Sequence, residues 1–321
     1  MAHKPFVSVV VPTYNRKEML RECLESLFIQ NYPKNKYEII VVNDGSTDGT
    51  EEILKEYERK APCKFKWFTQ KNKGPASGRN LGIKNATGEI VCFVDDDCIA
   101  DKNWIKNLIM EFVDERVGGV GGEIVAYKPR NIVEKYYTGF DQKARAKEYL
   151  LTGNAAYRKD ILKLVGGFDE NLRGLEDVDL GIRIRAKGYL LKYAPNAIVY
   201  HRHYDSLIRL MRRHYCLGKI FCKFSKKYVY HFSLKYYLVK WTITMIYRLT
   251  RYPLAILRAN NKKRYAIAEF LGILSQFSAI IGLIRGAITE DYRGRKIYDR
   301  LDFLESESII NLFQKIIRSK F

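Results

Sequence analysis

Cysteine pairs with the spacing of a zinc site or a small disulfide framework are missing from this sequence. None of its six cysteines forms a CxxC pair, and several lie in apolar stretches, so we expect reduced and buried thiols. The first residues, MAHKPF, lack the apolar core of a signal peptide, which favours a cytoplasmic protein. With 47% hydrophobic residues in a chain of 321, the protein can bury a sizeable core and is not disordered.

Acidic residues are scarce in the last third of the chain. From residue 207 onward there are 23 lysines and arginines against 7 aspartates and glutamates, which is +16 of the total net charge of +20. Such an excess of positive charge would suit nucleic acid, but no nucleic-acid-binding module is recognisable, and these charges are interleaved with apolar runs. We therefore predict no nucleic-acid partner.

Strand-like and helix-like segments alternate over the first hundred residues. Strands are predicted at 7–11, 38–43, 64–69 and 89–94, and helices at 16–30, 50–60 and from the end of the glycine-rich loop 72–78 to residue 86. This order predicts an α/β fold with a parallel, doubly wound sheet, in which ligands bind at the carboxyl ends of the strands. Residues 104–206 are predicted to be mixed, and residues 207–321 to be helical.

Candidate metal ligands follow two of the predicted strands. Asp95, Asp96 and Asp97 come directly after the fourth strand, where three adjacent carboxylates repel one another unless a positive charge is present. A divalent cation bound to a diphosphate would supply that charge, because Mg²⁺ and Mn²⁺ prefer oxygen ligands; a solvated acidic turn is the alternative. His201 and His203 follow a strand-like segment at 197–200, and each could be a metal ligand or a hydrogen-bonded polar residue.

Two further polar loops lie at the same predicted edge of the sheet. Asp44 ends the second strand, where its carboxylate could accept hydrogen bonds from a base or ribose. The loop 73–80, KGPASGRN, combines glycines with cationic residues and precedes a helix, which makes it a candidate neighbour of a diphosphate.

A second acidic segment, GLEDVDL, lies at residues 174–180. Glu176 and Asp177 fall at the N-terminus of a predicted helix, where a carboxylate is stabilised in the ionised form and can act as a general base. Helix capping would explain these two residues equally well. Asp179 and Arg183 are four residues apart and are predicted to pair on the helix surface.

Five segments of the sequence occur in an order that is typical of one enzyme family. They are VSVVVPTYNR (7–16), VVNDGSTDGT (41–50), GPASGRNLGIKNATGEIVCFVDDD (74–97), TGNAAYRKDILKLVGGFDENL (152–172) and GLEDVDLGIRIRAKGYLL (174–191). Together they resemble the motifs of the family 2 glycosyltransferases, which are inverting enzymes of the GT-A fold. The resemblance covers about residues 5–220. Gly78 stands where the family pattern has alanine, and Cys98 where a fourth acid is frequent.

The resemblance implies a division of the chain and a set of roles. A GT-A domain, the Rossmann-like fold of nucleotide-diphospho-sugar transferases, would occupy residues 1–220, with the nucleotide-binding half at about 1–100 and the acceptor half at about 101–220. A basic, aromatic and mainly helical extension would follow at 221–321. The implied donor-binding residues are Pro12, Thr13, Tyr14, Asn15, Asp44, Gly74, Arg79, Asp95 and Asp96. The implied ligands of Mn²⁺ or Mg²⁺ are Asp97, Asp95 and His201, and the implied catalytic residues are Asp177, as the base, and Glu176.

The implied reaction is transfer of a sugar, with inversion, from a nucleotide-diphosphate sugar to a hydroxyl of a glycan or a lipid-linked acceptor. A UDP-linked donor is favoured, and GDP- and dTDP-linked donors are the alternatives. A non-catalytic relative would be expected to have lost Asp97 or Asp177, and both are present. A nucleotidyltransferase of related fold would carry a GxGxRL-type loop after the first strand, where this chain has PTYN at residues 12–15.

The basic tail has two interpretations. Residues 228–258 interleave aromatic and aliphatic side chains with lysine and arginine, and the uncharged run 270–284 is shorter than the roughly 20 residues that span a bilayer. Interfacial helices that contact anionic headgroups at the inner face of the cell membrane would fit this pattern. A helical subdomain packed on the catalytic core, or a dimer contact, fits equally well.

Overall fold

Eight strands form one mixed sheet in the computed structural model, which describes residues 4–136, 142–228, 239, 241–250 and 262–289. The strands are β1 (Val7–Thr13), β2 (Tyr37–Asn43), β3 (Lys64–Thr69), β4 (Ile90–Val94), β5 (Cys98–Ala100), β6 (Val117–Ala126), β7 (Asn154–Arg158) and β8 (Leu190–His201). Their order across the sheet is β3-β2-β1-β4-β7-β6-β8-β5.

Strand direction changes half-way across this sheet. β3, β2, β1 and β4 are parallel, as the sequence predicts. β7 is antiparallel to β4 and β6, β8 is parallel to β6, and β5 is antiparallel to β8. The α/β fold class is therefore confirmed, whereas the prediction of a parallel sheet holds only for the first four strands. A hydrophobic pattern shows that a strand is buried but does not give the direction in which it pairs.

The helices are α1 (Lys17–Phe28), α2 (Thr50–Lys60), α3 (Pro75–Asn85), α4 (Trp104–Ile109), α5 (Ile132–Tyr136), α6 (Gln142–Arg145), α7 (Lys159–Leu164), α8 (Glu176–Ala186), α9 (Leu207–Tyr228), α10 (residues 241–250) and α11 (Lys262–Thr289). The bounds of α2 and β3 are those predicted from the sequence. The glycine-rich loop predicted at 72–78 ends earlier, because Pro75 starts α3, and proline is well suited to the first position of a helix.

The central strands are buried on both faces. Every residue of β1, β2 and β4 is buried. Alternate residues point to opposite sides, so Val9 of β1 packs with Leu24 of α1, whereas Val10 packs with Ile83 of α3. Burial on both faces explains why these strands are continuous apolar runs without polar alternation. It also leaves the strand ends as the place where polar side chains can gather.

Four of the six cysteines are buried, Cys63 is half-buried and Cys216 is exposed, and all six are free thiols. The prediction of reduced cysteines is thus confirmed, but the prediction of burial is wrong for Cys216, which lies on α9.

The described residues form two compact units. The first contains the sheet and comprises residues 4–127 and 142–201; the second comprises residues 128–136, 202–228, 239, 241–250 and 262–289 and is helical. The end of the catalytic domain at residue 220 stays a prediction, and that position lies inside α9, which belongs wholly to the second unit.

The second unit contains one helix, among the residues described, that is long and apolar enough to cross a membrane. The segment Ala266–Gly286 of α11 has 21 residues and a mean hydropathy of 1.9, and 44% of its most apolar window is buried. This stretch is longer than the uncharged run at 270–284 because it includes Glu269 and Arg285.

A buried glutamate joins β2 to its neighbours. Glu38 is fully buried; its Oε1 accepts hydrogen bonds from Ser8 Oγ at 2.8 Å and from the backbone N and Oγ1 of Thr87 at 2.7 and 2.6 Å. Lys66 Nζ lies 2.9 Å from Oε2. Burial alone would raise the pKa of Glu38, but the hydrogen bonds from Thr87, Lys66 and Ser8 lower it to about 2.

We expect Glu38→Gln to lower the free energy of unfolding at neutral pH by about 3–4 kcal/mol, since the pKa falls from 4.5 to about 2 and each pKa unit is worth about 1.4 kcal/mol. A pKa below its unfolded value means that the ionised group stabilises the fold at neutral pH. This stability is lost as the pH falls from about 4.5 towards about 2, so the difference between wild type and variant should shrink across that window. Urea unfolding at several pH values measures it. Glu51→Gln, which removes an exposed pair with Lys55, serves as the control and should leave stability nearly unchanged. A pH-independent difference would contradict the assigned pKa.

Two glycines of α3 face β1 at different distances. A Cβ added to Gly82 would lie 2.3 Å from Val10 Cγ1, whereas a Cβ at Gly78 would lie 3.3 Å from the Cβ of Pro12. We expect Gly82→Ala to destabilise the protein by about 1–3 kcal/mol through overpacking. The matched variant Gly78→Ala should be nearly neutral, because alanine favours the helix by up to about 1 kcal/mol. Thermal unfolding of the two variants checks this, and equal melting temperatures would contradict it.

Candidate active site

The carboxyl ends of β1, β2 and β4 meet at one edge of the sheet. Thr13, the last residue of β1, pairs with Asn43, the last residue of β2, and β4 ends beside them at Val94. The residues that follow these strands are PTYN at the end of β1, Asp44 after β2 and Asp95, Asp96 and Asp97 after β4. The sequence therefore predicts correctly that these segments come together.

The middle aspartate of the acidic run is held by hydrogen bonds from Thr13 and Arg16. Asp96 is buried, its Oδ2 accepts a hydrogen bond from Thr13 Oγ1 at 2.8 Å, and its Oδ1 accepts one from Arg16 Nη1 at 3.0 Å. Arg16 Nη1 also donates to Asp97 Oδ2 at 2.7 Å. Arg16 was missed as a site residue by the sequence analysis, although it ends the motif VSVVVPTYNR. Asp96 is thus an anchor that ties the acidic run to β1.

Burial and mutual repulsion perturb the three carboxylates differently. Burial raises the pKa of Asp96 to about 7 and that of Asp97 to about 6, against the opposing charge of Arg16. Burial would also raise the pKa of Asp95, but Arg79 outweighs it and lowers that pKa, with contributions from His201 and Arg16. Without an additional cation, Asp95 is therefore the carboxylate of this run that most readily ionises.

Asp97 faces a histidine and a cysteine that could hold a metal ion with it. His201, the last residue of β8, places Nε2 3.5 Å from Asp97 Oδ1, and Cys98 Sγ lies 3.8 Å from the same oxygen. Two ligands about 2.1 Å from one cation are about 3 Å apart at right angles and about 3.4 Å apart at the tetrahedral angle. The separation of the Asp97 and His201 atoms is close to the second spacing, so they could share a divalent ion. Burial and the nearby Asp97 and Asp95 raise the pKa of the Cys98 thiol, which favours its neutral form. His203 lies in the helical unit.

Cys98, like Arg16, is a residue of this site that was not predicted from the sequence. The β5 strand begins at Cys98, which is paired with His201 of β8 in the antiparallel ladder. Among the described residues, Asp97, Cys98 and His201 form the group of side chains whose potential ligand atoms all lie within 4.8 Å of one another. The pairing between β5 and β8 is a long-range contact that residue spacing does not reveal.

Asp44 organises the glycine-rich loop. Its Oδ1 accepts hydrogen bonds from Gln70 Nε2 at 2.7 Å and from the backbone N of Lys73 at 2.9 Å, and its Oδ2 accepts one from the backbone N of Gly74 at 2.8 Å. The carboxylate is buried. Asp44 and Gly74 are therefore brought together, as expected for two parts of one site, while their contact with a nucleotide stays a prediction.

The turn after β1 is joined to the turn after β2. The backbone N of Asn15 donates to Ser46 Oγ at 2.9 Å, and Asn15 Oδ1 accepts from the backbone N of Thr47 at 2.8 Å. Asn15 has a left-handed backbone, with φ of 51°, which asparagine tolerates better than most residues. Next to it, the Tyr14 side chain is 45% exposed and can meet a planar ligand at this edge.

Arg79 connects the two acidic segments of the site. Its Nη2 donates to Asp95 Oδ1 at 2.8 Å, and its Nη1 donates to Glu176 Oε1 at 3.0 Å. The guanidinium is buried and lies 5.7 Å from the ring centroid of Phe168. Burial would lower the pKa of Arg79, but the charges of Asp95, Glu176 and Asp177 raise it. The predicted donor contact of Arg79 stays a prediction, because both terminal nitrogens already bind carboxylates.

The start of α8 carries the predicted catalytic acids. Glu176 is buried, and besides the bond from Arg79 it accepts a hydrogen bond from the backbone N of Gly174. Asp177 is less buried, and its Oδ1 accepts from the backbone N of Val178 at 2.8 Å. Both acids therefore lie in the first turn of α8.

The Asp179–Arg183 pair forms as predicted but not on the surface. Arg183 Nη2 lies 2.6 Å from Asp179 Oδ2, and Asp179 is fully buried. Arg183 also donates to the backbone oxygens of Val165 and Gly167. The surface location was wrong because α8 packs this face against the loop after α7, so the pair holds α8 in place.

Two family models and several known proteins are similar to this chain. A family model described as glycosyl transferase family 2 matches residues 8–166, and one described as glycosyl transferase family group 2 matches residues 90–280. The chain belongs to the family 2 glycosyltransferases. Glycosyltransferase AglE of Haloferax volcanii is 32% identical over 203 residues, which are 61% of this chain and 67% of AglE. A poly(ribitol-phosphate) beta-N-acetylglucosaminyltransferase, TarS of Staphylococcus aureus, is 34% identical over 179 residues, which are 53% of this glycosyltransferase but 30% of TarS.

Solved structures confirm the GT-A fold of this glycosyltransferase. The mannosyltransferase PcManGT of Pyrobaculum calidifontis, solved with GDP-Man and Mn²⁺, has a TM-score of 0.59 and 22% identity, covering 90% of this chain and 77% of that one. TarS of S. aureus, residues 1–349, solved with UDP-GlcNAc, has a TM-score of 0.51 and 20% identity, covering 89% and 93%. At this level of identity the likeness concerns the fold.

Proposed function

We propose that this glycosyltransferase transfers a sugar from a UDP-linked donor to a hydroxyl of a glycan or lipid-linked acceptor and inverts the anomeric configuration. The observation that carries the proposal is the Arg79 bridge, which joins Asp95 of the donor-side motif to Glu176, the immediate neighbour of Asp177. A donor carboxylate and a candidate base are thereby held in one site, as a single displacement requires.

The choice of a UDP-linked donor rests on the relatives. TarS, named as an N-acetylglucosaminyltransferase, is 34% identical over the aligned region and has been solved with UDP-GlcNAc. PcManGT was solved with GDP-Man, so the fold also accepts a guanine nucleotide. The exposed Tyr14 and the ordered 70–74 loop would hold the base and ribose, and the turn PTYN would contact the nucleotide.

Asp97, Asp95 and His201 would hold a Mn²⁺ or Mg²⁺ ion. When bound, such a cation neutralises the donor diphosphate and stabilises the charge of the leaving group. Asp96 would stay buried between Thr13 and Arg16, where it fixes the direction in which Asp97 points. Arg16 is 48% exposed and adds a positive charge beside the diphosphate site.

Asp177 would take the proton from the acceptor hydroxyl. The hydrogen bond from the Val178 backbone N orients its carboxylate at the start of α8, where it could act as a general base. Glu176, held by Arg79 and Gly174, would set the position of Asp177 without exchanging a proton itself. The acceptor oxygen would then attack the anomeric carbon from the face opposite the diphosphate.

The basic helical unit would bring the enzyme to its acceptor. A net charge of +16 from residue 207 onward would attract anionic lipids and would bring the protein to the cytoplasmic face of the membrane. A lipid-linked acceptor would be found at the same surface.

A donor panel tests the function. The purified full chain is incubated with UDP-, GDP- and dTDP-sugars, with and without Mn²⁺, and release of the nucleoside diphosphate is measured. We expect turnover of a UDP-sugar that depends on the metal ion. The anomeric configuration of the product, read by NMR, should be the inverse of the donor's, and retention would rule out the single displacement.

We expect Asp97→Ala to lower kcat/KM by about 100-fold or more, because a metal ligand on the diphosphate is worth several kcal/mol in the transition state. Calorimetric titration with UDP, with and without Mn²⁺, measures the same loss without turnover. Asp114→Ala, at an aspartate paired with Arg116 on the surface, is the control and should leave both quantities unchanged. Equal Mn²⁺-dependent UDP affinity in Asp97→Ala and wild type would remove Asp97 from the metal site.

A further inference from the structure

Helix α11 carries large apolar residues on its exposed side, whereas its covered side mixes apolar residues with polar and small ones. Its buried positions include Leu271, Ile273, Ile280 and Leu283 as well as Glu269, Ser275, Ser278, Gly282 and Gly286. Its exposed large side chains are Phe270 (50%), Phe277 (47%), Ile281 (44%) and Ile284 (43%). A helix of a water-soluble protein also covers apolar residues, but its uncovered face is polar, whereas the uncovered face of α11 carries four large apolar side chains.

The charged residue inside this helix is neutralised by a neighbouring helix. Arg248 of α10 lies 2.9 Å from Glu269 Oε2, and both side chains are only 11% exposed. Arg248 Nη1 also reaches Gln276 Oε1 at 3.4 Å. A charge that faces the interior of a helical bundle and is paired there is the arrangement by which a membrane tolerates an ionisable residue.

Other polar groups of α11 are also bonded within the helical unit. Gln276 Nε2 donates to the backbone O of Trp241 at 2.9 Å, and Ser278 Oγ donates to the backbone O of Met211 at 2.6 Å. The small residues allow α9 to approach closely, since a Cβ at Gly218 or Gly282 would overlap backbone atoms of the facing helix. Internal hydrogen bonds and small residues at helix contacts are typical of helices packed in lipid.

The length and flanking charges of α11 suit a bilayer. The 21 residues of Ala266–Gly286 rise about 1.5 Å each, which gives about 31 Å, close to the thickness of the hydrocarbon layer. In the sequence, basic residues stand at both ends, KKR at 262–264 and Arg285 near the other end. Such residues interact favourably with anionic headgroups.

We propose that the outward face of α11, defined by Phe270, Phe277, Ile281 and Ile284, lies among the acyl chains of a lipid bilayer. A second copy of the chain could also cover an apolar face, but the net charge of +16 from residue 207 onward opposes self-association of this part of the chain and favours anionic lipid. The inference concerns anchoring and does not depend on which donor or acceptor the enzyme uses.

Flotation of the full chain tests acyl-chain contact against headgroup contact. Vesicles of phosphatidylcholine, with and without phosphatidylglycerol, are mixed with the protein, and the gradient is run at low salt and at about 1 M NaCl, where surface charges are screened within about 3 Å. We expect the protein to float with both vesicle types at both salt concentrations. Release by salt, failure to float, or a discrete dimer that forms without lipid and does not float would overturn the proposal.

Substitutions on the outward face test the residues themselves. Phe277→Lys combined with Ile281→Lys should lower partitioning into vesicles by about 100-fold or more, because lysine in the hydrocarbon layer is strongly disfavoured. Ile29→Lys combined with Val113→Lys changes two exposed apolar residues of the sheet unit and should have no effect. Wild-type partitioning of the α11 variant would overturn the proposal.

A reporter variant keeps the test informative if the lysine variant does not fold. Phe277→Trp replaces one exposed aromatic residue by another, and its fluorescence should be quenched by lipids brominated on their acyl chains. Val113→Trp, in the sheet unit, is the matched control and should not show the additional quenching. Equal quenching of the two variants would contradict insertion of α11.

Discussion

Replacement of Asp177 by asparagine is expected to reduce sugar transfer by about 10³–10⁴-fold, the upper range for loss of a general base. The amide cannot take a proton from the acceptor hydroxyl, but its oxygen can still accept the hydrogen bond that the Val178 backbone N donates at 2.8 Å. Donor affinity and melting temperature should therefore stay close to those of wild type. The measurements are kcat, the KM for the donor and thermal unfolding.

Asp179 provides the contrast for this prediction, because it lies two residues further along the same helix and has a structural role. Asp179→Asn weakens the buried pair with Arg183 and should lower the melting temperature, with a smaller effect on kcat. If Asp177→Asn turned over normally, the base would have to be another group. If it unfolded as readily as Asp179→Asn, the loss of activity would not identify a base.

Replacement of Arg79 by methionine is expected to lower the free energy of unfolding by about 3 kcal/mol and kcat by about 100-fold. The change leaves Glu176, whose side chain is 7% exposed, without its cation, and it also releases Asp95, whose side chain is 30% exposed. Because Asp95 is partly solvated, most of the lost stability should come from Glu176. The loss in kcat follows from displacement of α8, which carries Asp177.

Three companion variants test whether Arg79 acts by bridging two carboxylates or only through its positive charge. Arg79→Lys keeps the charge but cannot bind both carboxylates with a planar fork, so it should recover only part of the stability and kcat. Glu176→Gln combined with Arg79→Met should destabilise by less than the sum of the two single variants, since they share one interaction. Arg116→Met, in an exposed pair, is the control. Additive effects in the double variant would mean that Arg79 and Glu176 act independently.

The polar edge of the sheet is largely predictable from the sequence, because its parts are local. A parallel sheet brings the ends of neighbouring strands together, so the order of β1, β2 and β4 and the polar residues after them place PTYN, Asp44 and Asp95–Asp97 in one site. The family motifs are also contiguous in the sequence, which is why the GT-A fold and the glycosyltransferase family followed from them.

Residues joined by long-range pairing were harder to predict. Arg79 and Glu176 are separated by 97 positions, and Cys98 meets His201 only because β5 and β8 form an antiparallel pair. Arg16 gave only a weak signal, as an arginine at the end of a motif. In each case the partner is chosen by the packing of the sheet, and no residue spacing encodes it.

The tail shows most clearly what the sequence determined and what the tertiary structure decided. The sequence alone fixes a basic, aromatic and helical region whose longest uncharged run, 270–284, is too short to span a bilayer. The fold adds that Glu269 faces inward against Arg248 while Phe270, Phe277 and Ile281 face outward. The amino-acid composition shows that a charged residue is present but not what surrounds it. The free-energy cost of that residue in lipid depends on whether another side chain neutralises its charge, and the packing of the helices decides which side chains meet.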